Sequence, residues 1–154
     1  MAREVGVLSD LRHDELDLVA QIEQSVFPEP LSRAALEELW REPEVRYLAI
    51  RERGALAAYF GFQVCGPTAH VIANATAPAF RRRGYGGRIL RDAEPFARGM
   101  GARWFLGEVR RSNEAQRSVL RRIGWREIGI CPRFFGNGED CYVVFRCFDD
   151  ADER

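Results

Sequence analysis

The chain contains no lysine: all 23 of its basic residues are arginine. That excludes a lysine Schiff base, a lysine general base and a lysine phosphate anchor. Histidine is nearly as scarce, with two residues, and the four cysteines (Cys65, Cys131, Cys141, Cys147) form no C-x-x-C pair. No zinc or other metal site is expected. No disulfide framework is expected either, and the cysteines read as free thiols. No apolar run approaches the ~20 residues that cross a bilayer, so no membrane partner is expected. The opening "MAREVGVLSDLRHDEL" turns acidic too early for a secretory signal, which leaves a cytoplasmic chain as the expectation. A charge surplus is missing as well. With 23 acidic residues against 23 basic ones the net charge is zero. A dedicated nucleic-acid binder carries a basic excess, so no nucleic-acid partner is expected. Arg110-Arg111 and Arg121-Arg122 could form a basic patch, but acidic segments balance them.

What is present is ordinary globular sequence: 154 residues, 46% hydrophobic and 30% charged. One domain over 1–154 with a sizeable core is the simplest organisation. "EVGVL" (4–8) alternates like a short strand. "HDELDLVAQIEQSVF" (13–27) spaces its apolar residues as a helix. "FPEPLS" stops it with two prolines, and Ser32 can cap a second helix, "RAALEELWR". "RYLAIRERGALAAYFGFQV" reads as two strands turning at Arg53-Gly54, and "AHVIANATA" (69–77) as a third. A helical pattern with Pro95 inside it follows, and that proline should bend or divide it. "ARWFLGEV" (102–109) is a strand, "NEAQRSVLRRI" (113–123) a helix stopped by Gly124, and "WREIGICPRFF" and "DCYVVFRCF" two closing strands. Helices interspersed with runs of consecutive strands predict an α+β or mixed-sheet domain.

Between the strand at 69–77 and the next helix lies "AFRRRGYGGRIL" (79–90), with four arginines and three glycines in twelve positions. A strand-to-helix junction presents unpaired backbone N–H groups and the positive end of the helix, and glycine lets the backbone approach a ligand. Together they make a phosphate seat, around which Arg81, Arg82, Arg83 and Arg88 would add charge. A P-loop fails for want of lysine. A dinucleotide fingerprint starting at Gly84 and Gly86 fails because position 89 is Ile89. The pattern [R/Q]-x-x-G-x-[G/A] is met by Arg81, Gly84 and Gly86. A solvated basic turn is the bland alternative.

Five ordered segments carry a family resemblance running from about residue 4 to residue 146. "VFPEPLS" looks like "FPxPWS", and "APAFRRRGYGG" like "xPxFRRRGxG". "GEVRRSNEAQ" looks like "LEVRxSNxxA", "RRIGW" like "xxLGF", and "PRFFGNGEDCYVV" like "xxYYxxxxEDAxxM". They resemble the GNAT family of N-acetyltransferases, and within it the RimI-type branch that acetylates the N-terminal alanine of a ribosomal protein. The resemblance implies a GNAT fold, α+β, with a mixed and mostly antiparallel sheet of about seven strands flanked by helices. It implies acetyl-coenzyme A as cosubstrate. Its pyrophosphate would rest on the backbone amides of Arg82, Arg83, Gly84, Tyr85, Gly86 and Gly87, and its pantetheine arm along Asn74, Ala75 and Thr76. Asn113 would also contact it, although Ser112-Asn113 reads equally as a helix N-cap. Glu108 would be the general base, and a salt bridge to Arg110 or another arginine is its structural alternative. The implied partner is an amine acceptor, a protein N-terminus or a small amine, taken by a monomer or homodimer.

Two departures stand out. The family's general-acid tyrosine falls on Leu120, which has no proton to give. The paired tyrosines near the C-terminus are Phe134 and Phe135. Tyr142, Tyr85, Tyr47 and Cys131 are the candidate substitutes, and thiolate release without an acid is open because a thiol pKa near ~8.5 makes a fair leaving group. Deprotonating an α-amine of pKa about 8 costs ~1.4 kcal/mol at about pH 7, against ~4.6 kcal/mol for a lysine, which favours an α-amine or another low-pKa amine. A non-catalytic module binding acyl-coenzyme A is the rival class.

Overall fold

In the computed structural model, residues 6–150 are described. Seven strands form one sheet in the order β1-β2-β3-β4-β5-β7-β6: β1 (Ser9–Asp10), β2 (Val45–Glu52), β3 (Ala55–Cys65), β4 (Thr68–Thr76), β5 (Trp104–Arg110), β6 (Arg126–Cys131) and β7 (Cys141–Cys147). β4 and β5 run parallel, whereas β1/β2, β2/β3, β5/β7 and β6/β7 are antiparallel. Five α-helices accompany them: α1 (Leu16–Val26), α2 (Arg33–Arg41), α3 (Tyr85–Asp92), α4 (Glu94–Gly99) and α5 (Glu114–Arg122). This is the expected α+β arrangement.

The chain divides into two compact units, one of residues 6–63 and 72–93, the other of 64–71 and 94–150. In the first, Leu16, Val19 and Ile22 of α1 and Leu36 of α2 bury against Tyr47, Ala49 and Tyr59 of β2 and β3. The linking "FPEPLS" is irregular, and Ser32 caps α2 by accepting from the Ala35 N–H at 3.1 Å, worth about 1 kcal/mol. Arg53 and Gly54 take left-handed φ values of 51° and 79° and turn β2 into β3, as a two-residue hairpin requires. The first strand is where sequence and structure part. Residues 4 and 5 lie outside the described residues, positions 6–8 are not strand, and pairing begins only at Ser9 and Asp10. Arg46 holds the Asp10 carboxylate at 2.8 Å, and Leu11 donates to Tyr47 O at 3.0 Å. The pairing is thus anchored beyond the alternating stretch.

In the second unit β5 alternates strictly. Phe105 and Val109 are buried, while Trp104, Leu106, Glu108 and Arg110 face partly to solvent. Phe105 stacks on Trp125 at 5.6 Å and meets Phe148 edge-on at 4.9 Å. Gly107 lies so close to its neighbours that an added Cβ would sit 3.2 Å from the Val71 side chain and 3.6 Å from that of Val144. Pro95 lies in the first turn of α4, so the expected division occurs: α3 ends at Asp92 and α4 starts at Glu94. Gly124 ends α5 at a φ of 89°. β6 stops at Cys131 instead of running on through Phe135, because Arg133 takes a φ of 51° and donates its N–H to the Asp140 side chain at 3.0 Å.

Candidate active site

Nine of the sequence-derived positions lie in the first unit. Asn74, Ala75 and Thr76 end β4. Ala75 is buried in the core, and Asn74 and Thr76 are half-buried, so Ala75 offers only its backbone to a ligand. A short 3-10 turn at Pro78–Phe80 follows, then the arginine-glycine loop. Arg82 and Gly84 are both left-handed, at φ 64° and 78°. Gly84 is the N-cap of α3, and no side chain caps that helix. The first intrahelical bond there is Arg88 N–H to Gly84 O at 3.2 Å. The N–H groups of Tyr85, Gly86 and Gly87 therefore precede the helical ladder and point out of its positive end. Gly86 packs beside the Thr76 hydroxyl, 3.7 Å from where a Cβ would stand. The loop and the end of β4 thus lie side by side.

The arginines divide into two pairs. Arg83 does not lend its charge to the loop: its guanidinium grips both oxygens of Glu52, at 2.7 and 2.8 Å. Tyr85 donates its hydroxyl to the same carboxylate at 2.6 Å, which pushes the phenol pKa up. Arg88 is also engaged, with the Gly6 carbonyl and, at 3.3 Å, Asp92. Arg81 and Arg82 are exposed and have no side-chain partner among the described residues. They are the cations left for an anion at this helix start.

Glu108 and Asn113 lie in the second unit. Glu108 pairs with Val143 of β7 on the half-open face of β5. Among the described residues its hydrogen-bond partner is a histidine. His70 of β4 places Nε2 2.8 and 2.9 Å from its two carboxylate oxygens. That hydrogen bond raises the His70 pKa, desolvation opposes it, and the charge of Glu108 adds to the rise. Asn113 is the N-cap of α5, accepting from Gln116 N–H at 3.2 Å, so the capping alternative is realised. Leu120 is buried in the core.

Beyond β6 the aromatic corner survives without hydroxyls. Phe134 and Phe135 pack edge-on at 5.1 Å. The Arg110 guanidinium lies 4.0 Å from the centroid of Phe135 and bonds Asn137 and Glu139 at 3.1 and 3.3 Å. Glu139 also accepts from Ser112 N–H at 2.8 Å, and the Ser112 bonds and Arg110 together hold its carboxyl below the usual range. Of the candidate acids, Tyr85 is tied to Glu52, and burial pushes the pKa of Tyr47 far up. Tyr142 sits opposite Val109, on the other face of the sheet from Glu108, under the Arg117 guanidinium at 4.1 Å. Cys131 is exposed and stands opposite Cys141. Among the described residues no group of His, Cys, Asp and Glu is arranged to hold a metal, and no helix is long and apolar enough to cross a membrane.

Sequence reasoning missed His70, Glu52, Asn137 and Glu139. Only the "GED" of the C-terminal segment pointed to Glu139. For His70 the sole signal was a polar residue on an alternating strand.

A strand, an arginine-glycine turn and an uncapped helix start, with a carboxylate strand elsewhere in the same sheet, define an acyltransferase of the GNAT type. The chain matches the Acetyltransferase (GNAT) family over residues 16–125 and belongs to it. It is 32% identical over 136 residues to the N-alpha-acetyltransferase RimI of Mycobacterium tuberculosis, covering 82% of this chain and 83% of that one. In fold it is similar to the ribosomal-protein-S18-alanine N-acetyltransferase of Escherichia coli, with TM-score 0.84, 23% identity and 97% of both chains covered. It is also similar to Arabidopsis thaliana NAA60 in complex with acetyl-CoA, with TM-score 0.82, 13% identity, and 94% of this chain and 99% of that one covered.

Proposed function

We propose that this chain moves the acetyl group of acetyl-coenzyme A to the α-amine of a protein or peptide N-terminus, with residues 1–154 acting as one domain. The observation that carries the cosubstrate is the start of α3. Three N–H groups outside the helical ladder and two left-handed residues lie in one short stretch with Arg81 and Arg82, which have no side-chain partner among the described residues, and together they suit an anion. A pyrophosphate fits it by charge and by backbone geometry. Asn74, Ala75 and Thr76 would lie along the pantetheine arm, with Asn113 near the cofactor. The RimI relative and the Phe134-Phe135 corner support a peptide acceptor.

The reaction is direct attack in a ternary complex. The amine nitrogen forms a C–N bond to the thioester carbonyl, the C–S bond breaks, and coenzyme A leaves as its thiolate. Glu108 takes the amine proton. The leaving thiolate needs no dedicated acid, since its conjugate acid has a pKa near ~8.5. This accommodates Leu120, whose hydrocarbon side chain has no proton to give. The same lack of a proton donor, with the missing hydroxyls at Phe134 and Phe135, favours the second reading, a module that binds acyl-coenzyme A without turnover.

The test is coenzyme A release followed with a thiol-reactive dye, corrected for the protein's own four cysteines. Short peptides with varied N-termini and small amines serve as acceptors. Turnover on peptides beginning with alanine or serine supports the proposal. Turnover on small amines alone reassigns the acceptor. Acetyl-coenzyme A binding with no turnover leaves the non-catalytic module. Glu108→Gln is expected to lower kcat by about 10²–10⁴, the range of a lost general base, with the Kd for acetyl-coenzyme A unchanged.

A further inference from the structure

His70 has no part in the cofactor seat and lies 38 positions from Glu108 in the chain. Parallel pairing of β4 with β5 sets His70 opposite Leu106, so Glu108 is two residues further along the same face. From there Nε2 reaches both carboxylate oxygens at once, at 2.8 and 2.9 Å. A nitrogen that close to two carboxylate oxygens must carry a proton, so Nε2 is the donor in both charge states of the ring. Nδ1 is then the nitrogen that gains and loses a proton. The side chain is half exposed, so that proton exchanges with water.

We propose that His70 is a positioning residue for the Glu108 carboxylate, and that its Nδ1 proton sets how basic that carboxylate is. The inference rests on Glu108 being the base. With the ring cationic, Glu108 is locked in an ion pair and is a weak base. With the ring neutral, Nε2–H still fixes the carboxylate by a hydrogen bond, and without the neighbouring positive charge the carboxylate becomes a stronger base. The carboxylate itself favours the cationic ring, which moves the changeover to higher pH than for a free imidazole. The other charged or titratable groups on this face are Arg110 of β5, Arg126 and Cys131 of β6, and Cys141 and Cys147 of β7. Arg110 is held by Glu139 and Asn137. Glu108 is the charged group that acts on the ring.

Activity therefore rises with pH as His70 loses its proton, in addition to the rise from the amine's own deprotonation. In wild type the acid limb of kcat/KM against pH is expected to show two ionisations, with a slope approaching two. His70→Gln keeps a donor in place of Nε2 and removes the titration, so most of kcat remains and the slope falls to one. His70→Ala removes both, and kcat is expected to fall about tenfold with the Kd for acetyl-coenzyme A unchanged. A His70→Ala enzyme with wild-type kcat and slope overturns the proposal. If Glu108→Gln is inactive while His70→Ala is not, only the positioning role fails. If Glu108→Gln is fully active, the general-base assignment fails and the positioning role fails with it. An independent readout needs no acceptor. The chain has two histidines, so the ring protons of His70 can be followed by NMR, with His13→Gln to assign them. In Glu108→Gln the His70 titration should move to lower pH. No movement overturns the pairing.

Discussion

Arg110 caps the face of Phe135 at 4.0 Å and, with the same guanidinium, holds Asn137 and Glu139. Arg110 lies two residues beyond Glu108 on β5, so the turn that carries the aromatic corner is fastened to the strand of Glu108. A desolvated cation–π contact is worth up to about 2 kcal/mol. Arg110→Ala is expected to raise KM for a peptide acceptor about tenfold, with kcat on a small amine changed less than about twofold. Steady-state kinetics on both acceptors checks this. Equal loss on both would mean that the corner supports the strand and does not read the peptide.

Gly84 stands at φ 78° with nothing within 4 Å of an added Cβ. Alanine there meets no clash and pays only the left-handed penalty of ~1–2 kcal/mol. If the backbone relaxes to relieve that penalty, the α3 amides turn away from the anion. Gly84→Ala is expected to weaken acetyl-coenzyme A binding about tenfold by calorimetry. A normal Kd would show that the seat tolerates a side chain.

Glu23 of α1 is buried with Tyr47 and Tyr59, and its Oε1 and both hydroxyls have no partner among the described residues. Burial pushes its carboxyl pKa up, opposed by the nearby Tyr59 hydroxyl and by the Leu31 N–H. A carboxylic acid whose folded pKa is raised stabilises the fold at pH below its unfolded value and loses that contribution as pH rises through the folded one. Glu23→Gln should therefore gain stability over wild type at pH 8 and not at pH 4. The gain is on the order of 1 kcal/mol, or about 2–4 °C in Tm. Thermal melts at both pH values decide it, and an equal effect at both would exclude titration of Glu23.

Gly124 has a φ of 89°, and a Cβ there would stand 2.8 Å from the guanidinium of Arg146. Arg146 is buried and bonded to Glu94 at 3.0 Å, so it has little room to withdraw. Gly124→Ala is expected to cost about 2–3 kcal/mol, combining the left-handed penalty with displacement of that ion pair. Urea unfolding measures it. A loss below about 1 kcal/mol would mean that Arg146 moves freely.

The features that were legible in the sequence are local. Ser32 as a cap, Arg53-Gly54 as a turn, Pro95 as a break and "RRRGYGG" as a strand-to-helix junction each depend on neighbours within a few residues. The partners of Arg83 and Glu108 were not legible, because Glu52 is 31 positions from Arg83 and His70 is 38 from Glu108. Only strand register brings such residues together, and register is a property of the whole sheet. The charge of "RRRGYGGR" was plain, but which arginines stay available depends on those distant carboxylates. β1 went unseen because a two-residue strand has no alternation to read.

Gly107 adjoins Glu108 where the family segment "LEVR" has leucine, and Val71 and Val144 occupy the room a side chain would need. Positions 107 and 71 thus share one volume. A larger residue at 107 requires Val71 to shift or shrink, so the two positions are expected to covary. A library randomising both positions together should recover pairs that neither single-site library contains.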